Sequence, residues 1–343
     1  MQTTTAGTLY AGADLHGNNV VLSVIDEEGN VVFSKRVKGN LKAINAVLDP
    51  YWERIKVLGL ESTFNWYWLV DGLLEQGRNV KLGNPAKMEQ YNGIKVTNDL
   101  TDAQWLAEQL RLNIFPECYI YPKEMRTVRD ALRGRQLFVR RRTQVLLSLQ
   151  GLIERYGKKA PGVYAVAKWK SSDIQALNLE PFVELKLNAL LSSIHHSDML
   201  AKRIEKKVCN IIKQTEPYKR IQRVPGIGFI LGMFIILESG DFKRFASAGK
   251  FASYCRTVSS SRTSNSKSKG KNNTKNGNKF LSWAFIEAAT AAARSYPEIS
   301  SWYERKKRRR NVSVAKKALA CKLAKAVWHV MDGKDFDMKL MFG

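Results

Sequence analysis

An α/β domain followed by an all-α region is the fold class that this 343-residue sequence predicts. Three observations predict it. Residues 9 to 37 hold three runs with strand character, and helical and strand-like stretches alternate after them to about residue 111. From Lys123 to Tyr156 an arginine-rich helical pattern runs without proline, and a second long helical pattern fills residues 181 to 215. The last third returns to apolar helical segments on either side of a polar loop.

The elements follow in order. "LYAGADL" leads to "VVLSVID", "EGN" supplies turn chemistry, and "VVFSKRV" continues with alternating apolar positions. A helical stretch over 41 to 53 comes next, interrupted near its end by Pro50. The buried-looking strand "KVLGLES" (56 to 62) precedes a helix through "WYWLVDGLLEQG", the strand "NVKLGN" and a helix beginning near Asp99. Three meandering strands followed by alternating helix and strand is the order of a ribonuclease-H-like α/β domain.

In the second long helix Leu190, Ile194, Ser197, Ala201, Ile204, Val208 and Ile211 fall at alternating four- and three-residue steps. Such a seam pairs two long helices as an antiparallel hairpin, packs within one subunit, or joins a partner chain. "RVPGIG" then places Pro225 to Gly228 between helical segments. It reads as the turn of a helix-hairpin-helix-like element that offers backbone N–H groups to a phosphate, or as an ordinary connection. Residues 256 to 279 hold six Ser, five Asn and seven Lys/Arg with no acid, the composition of a flexible polar loop. The apolar helix "FLSWAFIEAATAAARSY" resumes directly after it, so the loop lies inside a domain, where long loops are usually functional. "RKKRRR" at 305 to 310 is a phosphate grip or a solvated charge run.

Charge divides the chain. The net charge is +25, yet residues 1 to 123 carry 12 Lys/Arg against 14 Asp/Glu, a net of −2, which leaves +27 on the rest. An excess confined to one part of a chain is the electrostatic footprint of a nucleic-acid binder. No membrane partner is expected: the longest apolar run, "FILGMFIIL", is about half of what a helical span requires. No signal peptide is visible, and Cys118, Cys209, Cys255 and Cys321 show no CxxC or Cys/His zinc spacing. They read as buried small apolar residues of a cytoplasmic protein.

Asp99 and Asp102 admit two readings. They cap and charge the start of a helix, or, lying on one face of its first turn, they bind a divalent cation. Asp14 and Glu61 end strands that are neighbours in a ribonuclease-H-like order, so four acids are expected to converge. Two like charges about 4 Å apart repel by roughly 4 kcal/mol at an effective dielectric of 20. A hard cation, Mg²⁺ or Mn²⁺, removes that penalty while gaining oxygen ligands. "STFNWYWLV", just after Glu61, is read as core aromatics rather than as a base-stacking surface.

"GADLHGNNVVLSVID", "VLGLEST", "LGNPAKMEQYNGIKVTNDLTDAQWLAEQL" and "RVPGIG" occur in the order and approximate spacing of the DEDD transposases. This family of insertion-sequence recombinases is related to the Piv DNA invertase, and its members act with a bridge RNA. The resemblance covers nearly the whole chain. It implies a RuvC-like catalytic domain at 1–122, a helical coiled-coil and oligomerisation segment at 123–216, and a C-terminal transposase domain at 217–343. It also implies four catalytic metal ligands, at Asp14, Glu61, Asp99 and Asp102. A serine in the basic loop after PGIG would form a covalent link to DNA. Ser264 in "TSNSKSKG" matches best, although Asn265 stands where glycine is usual and Ser261, Ser266 and Ser268 lie close by.

The implied activity is RNA-guided, site-specific recombination of double-stranded donor and target DNA by a dimer of dimers. It would occur in the bacterial cytoplasm, at the nucleoid. A Holliday-junction or structure-selective nuclease is the alternative; it would use the same acids and no serine. An actin-like ATPase or sugar kinase is disfavoured because "DLHGNN" lacks a Gly/Thr-rich phosphate loop. An architectural DNA binder would leave the four acids without a purpose.

Overall fold

A computed structural model describes residues 7–88, 99–258, 263–264, 267–268 and 276–343. The chain divides into two compact units, Met1–Lys123 and Glu124–Gly343.

Among the described residues of the first unit, five strands form one mixed sheet in the order β3-β2-β1-β4-β5. They are β1 (Leu9–Leu15), β2 (Asn19–Ile25), β3 (Val31–Lys38), β4 (Ile55–Glu61) and β5 (Val80–Gly83). β1 pairs antiparallel with β2 and parallel with β4, which pairs parallel with β5. Helices α1 (Leu41–Leu48), α2 (Tyr67–Glu75) and α3 (Asp99–Arg111) complete the unit. The side chain of Asn40 caps α1, accepting from the Ala43 N–H at 2.9 Å. The helix stops at Leu48, short of the expected residue 53: Asp49 keeps helical dihedrals as its C-cap and donates its N–H to the Asn45 carbonyl, but Pro50 has no N–H with which to extend the ladder.

Alternation along the strands sorts the two faces. On one, Ala11, Ala13, Leu58, Leu60 and Leu82 pack with Ile44 and Leu48 of α1 and Leu69 and Leu73 of α2. On the other, Tyr10 and Val57 meet Leu106 and Leu110 of α3 and the nearby Phe115. Gly12 and Gly59, cross-strand partners, also lie beneath α3.

The second unit is mostly helical. It comprises α4 (Lys123–Arg155), α5 (Val163–Val166), α6 (Ser171–Gln175), α7 (Pro181–Ile212), α8 (Glu216–Ile221), α9 (Phe229–Ser239), α10 (Ala248–Tyr254), α11 (Lys279–Ser295), α12 (Pro297–Arg309), α13 (Val312–Met331) and α14 (Met338–Phe342). Two short strands, β6 (Thr263–Ser264) and β7 (Lys267–Ser268), pair antiparallel between α10 and α11. The core centres on Phe234, Phe251 and Phe285 with Leu319, Leu323 and Val327 of α13.

α4 and α7 form an antiparallel hairpin within the unit. Leu146, Leu149 and Ile153 pack against Leu187, Leu191 and Ile194, and ion pairs join Arg135 to Glu205 (2.6 Å) and Arg142 to Asp198. The expected seam is buried at Ile194, Ser197, Ala201 and Val208, partly buried against the cores at Leu190 and Ile204, and wrong at Ile211. Leu191 and Ile212 are buried where Leu190 and Ile211 were expected, and Ile211 is 51% exposed. Over this length a straight helix with 3.6 residues per turn drifts away from a strict seven-residue repeat.

"FILGMFIIL" is α9, with Met233, Phe234, Ile235 and Leu237 buried in the core. Among the described residues no helix is long and apolar enough to cross a membrane. Of the four cysteines Cys255 is buried, whereas Cys118, Cys209 and Cys321 are partly exposed, contrary to expectation.

Candidate functional site

Glycine at every second position beside an acid builds the site. Gly12 and Asp14 share a face of β1, and Gly59 and Glu61 share the same face of β4. A Cβ at Gly12 would overlap the Ala103 carbonyl oxygen, so the backbone of α3 rests directly on β1 there. Ala103 and Ala107 form the contacting stripe of the helix, and both are fully buried. Asp99 stands one turn before Ala103, and Asp102 shares the first turn with Asp99. Close packing at Gly12 therefore sets the acid-bearing turn of α3 against the strand ends that carry Asp14 and Glu61.

Asp14, Glu61 and Asp102 line one cavity of about 330 Å³ together with Met88, Trp105 and Leu106. Burial pushes the Asp14 carboxyl up from its ordinary value; the His16 charge opposes the shift, and the Asp102 and Asp99 charges add to it. Burial likewise raises Glu61, with Asp14 and Asp102 adding to it. Asp99 is engaged differently. It forms an ion pair with Arg36, and its Oδ2 lies 3.4 Å from His16 Nε2, which is 3.0 Å from Asp14 Oδ2. Asp14, His16 and Asp99 each offer a ligand atom within 4.8 Å of the others.

Asp14 thus belongs to both groupings. Carboxylate oxygens crowded enough to raise each other's proton affinity are the donor set a hard divalent cation prefers, and the residues fit such an ion. The helix-start reading of Asp99 and Asp102 is compatible with this: Asp99 is already helical, and the capping position before it lies outside the described residues.

His16 and Arg36 were not anticipated. His16 follows Asp14 by two residues, a spacing that could have signalled a shared face. Arg36 pairs with Val21 on β2, and Val21 pairs with Asp14, so the three form one row across the sheet. That row depends on hairpin register, which local sequence does not display.

In the second unit Ser264 lies in β6, its backbone paired with Lys267. Ser268 is in β7, while Ser261 and Ser266 lie outside the described residues. The base of this loop is clamped. Asn278 N–H donates to the Tyr254 carbonyl at 2.7 Å, and Arg256 Nε donates to the Gly277 carbonyl at 3.0 Å. Glu238, buried on α9, accepts from Arg133 at 2.6 and 2.7 Å and from Asn278 Nδ2 at 2.6 Å. Asn278 in turn caps α11 through Oδ1. The Pro225–Gly228 turn joins α8 to α9, with Pro225 and Ile227 buried and Gly228 exposed at the N-cap of α9.

Comparison with known proteins decides the family. The profile described as "Transposase IS116/IS110/IS902 family" matches residues 218–304, and a second transposase profile, for the DEDD transposases of IS110 type, matches residues 11–157. The chain belongs to the IS110-type DEDD transposases. The transposase for insertion sequence element IS1111A of Coxiella burnetii is 24% identical over 329 residues, covering 93% of this chain and 88% of that protein. The transposase for insertion sequence element IS1328 of Yersinia enterocolitica is 22% identical over 325 residues, covering 93% and 95% respectively. For a DEDD transposase the substrate is DNA, to be cut and rejoined, and a divalent metal is implied. The acids converging at the end of the sheet are of the kind that metal requires.

Proposed function

We propose that this transposase is an RNA-guided, site-specific recombinase. Asp14, Glu61, Asp99 and Asp102 would hold Mg²⁺, and Ser264 would join DNA covalently. The observation that carries the reading is the single cavity lined by Asp14, Glu61 and Asp102, in which Asp14 and Glu61 are both raised by burial and by neighbouring carboxylates. When bound, the metal would polarise phosphoryl oxygens and offset charge on the attacking and leaving groups.

The chain's own groups would do the rest. The Ser264 oxygen forms a bond to phosphorus and gives up its proton as one phosphoester bond breaks, and the released strand oxygen takes a proton. The reverse step, with a strand from the other DNA as nucleophile, restores Ser264 and rejoins the strands with the number of phosphoesters unchanged. That economy favours recombination over a structure-selective nuclease, where water is the final acceptor. Lysines and arginines of the loop would favour the serine alkoxide, since no histidine lies in it.

Delegating sequence choice to a structured noncoding RNA leaves the protein to grip backbones, which suits the +27 carried beyond residue 123. Lys306 to Arg309 at the end of α12 and the exposed Gly228 turn would contribute to that grip. The three-part division at 1–122, 123–216 and 217–343, with the α4–α7 hairpin as the assembly element of a dimer of dimers, belongs to the same proposal. So does action on bacterial DNA in the cytoplasm.

Replacing Asp102 by Asn should abolish strand exchange between donor and target plasmids supplied with the element's flanking RNA, while leaving DNA binding in place. Exchange at the wild-type rate would remove the metal assignment.

A further inference from the structure

We infer that Phe64 is a stacking platform for a nucleobase of the DNA strand held at the acid site. This rests on the reading of the chain as a metal-dependent recombinase. The sequence run "STFNWYWLV" reads as core aromatics, and most of it is: Trp66 is buried, and Tyr67 and Trp68 pack against the core beneath α2. Phe64 departs from that pattern, with 88% of its surface exposed.

A single exposed apolar residue is ordinary on a protein surface. The loop that carries this one is not. Ser62 N–H donates to the Gly83 carbonyl at 3.0 Å, and Thr63 N–H donates to the Glu61 carbonyl at 2.8 Å. Thr63 Oγ1 donates to Asn65 Oδ1 at 3.0 Å, and Asn65 Nδ2 donates to the His16 carbonyl at 2.8 Å. The loop is thus tied on one side to the end of β5 and on the other to the residue two beyond Asp14. Phe64 is fixed relative to both strand-borne acids while its ring faces water.

Phe64 lies three positions beyond Glu61, which limits their Cα atoms to about 11 Å apart. That span is about three base steps of a stacked strand. A ring within that limit of a phosphate-processing site has the bases flanking the reacting phosphate in reach. Stacking tolerates any base, as an enzyme guided by a separate RNA requires, because every base offers a π-face. It would fix the strand's position while the acids and basic residues act on its backbone.

The test measures binding of the full-length protein, with calcium replacing magnesium, to two fluorescent 20-nucleotide single strands. One carries all its bases, and the other has abasic sites across its central positions. Phe64→Ala should weaken binding of the first about tenfold and leave the second unchanged, and Phe64→Trp should restore it. Thermal unfolding should be the same for all three proteins, because the ring is exposed. Equal binding of both strands by wild type and Phe64→Ala would overturn the inference, as would an equal loss on both. Strand exchange by wild type and Asp102→Asn, run in parallel, separates the two readings. Exchange lost in Asp102→Asn with unchanged binding by Phe64→Ala defeats the stacking role alone, whereas exchange retained in Asp102→Asn defeats the metal assignment on which it rests.

Discussion

Gly12 and Gly59 face each other across the parallel β1–β4 pair, and each lies beneath α3 or the segment that follows it. At Gly12 the obstacle to a side chain is backbone of α3; at Gly59 it is the ends of Leu110 and Phe115, 2.8 and 2.9 Å from where a Cβ would stand. Gly12→Ala should therefore lift the helix and lower stability by about 1–3 kcal/mol, and Gly59→Ala should cost less because side chains can move. Urea unfolding of the two variants would check the order, and strand exchange should fall further in Gly12→Ala, whose acids are displaced from each other.

Asp14 and Glu61 should withdraw stability from the metal-free protein as pH rises through the carboxylate range. Asp14 and Glu61 have native values raised above those of the unfolded chain. At these two positions the native state therefore holds more protons between the unfolded and native values, and their contribution to the slope of stability with pH is negative there. Comparing wild type with Asp14→Asn in a chelator should show the variant gaining relative to wild type as pH increases from 4 to 7. Added Mg²⁺ or Mn²⁺ should stabilise wild type and leave Asp14→Asn nearly unmoved.

Ser264→Ala should eliminate any covalent protein–DNA species trapped under denaturing electrophoresis, with DNA binding retained. Persistence of that species would move the nucleophile to Ser261, Ser266 or Ser268.

Glu238 is buried and accepts three short hydrogen bonds from Arg133 and Asn278. Glu238→Ala removes the anion and leaves charged and polar groups facing its site, a change that typically costs 3–5 kcal/mol. The midpoint of thermal unfolding should drop by several degrees, and limited proteolysis should cut sooner between residues 256 and 279, whose base this network holds.

The strand order was legible because alternation, turn residues and short connections all agree over residues 9 to 83. So was the meeting of Asp14 with Glu61, which requires only neighbouring strands and equal parity. Arg36 was not, since its place in the row with Asp14 depends on the β2–β3 register. His16 was overlooked despite its telling spacing. The α7 seam was readable only in its middle, because a strict heptad and a 3.6-residue helix diverge toward the ends. Glu238 gives no local sign of its role: its partners lie 105 and 40 residues away. Nor does an acid-free run of Ser, Asn and Lys contain a hydrophobic pattern that would fix where any one serine points.

Trp105 shares the wall of the cavity with Asp14, Glu61 and Asp102. An indole so placed is a resident chromophore whose emission colour and intensity respond to whatever charge or solvent enters beside it. The enzyme thereby carries its own optical gauge of occupancy, readable without attaching a dye.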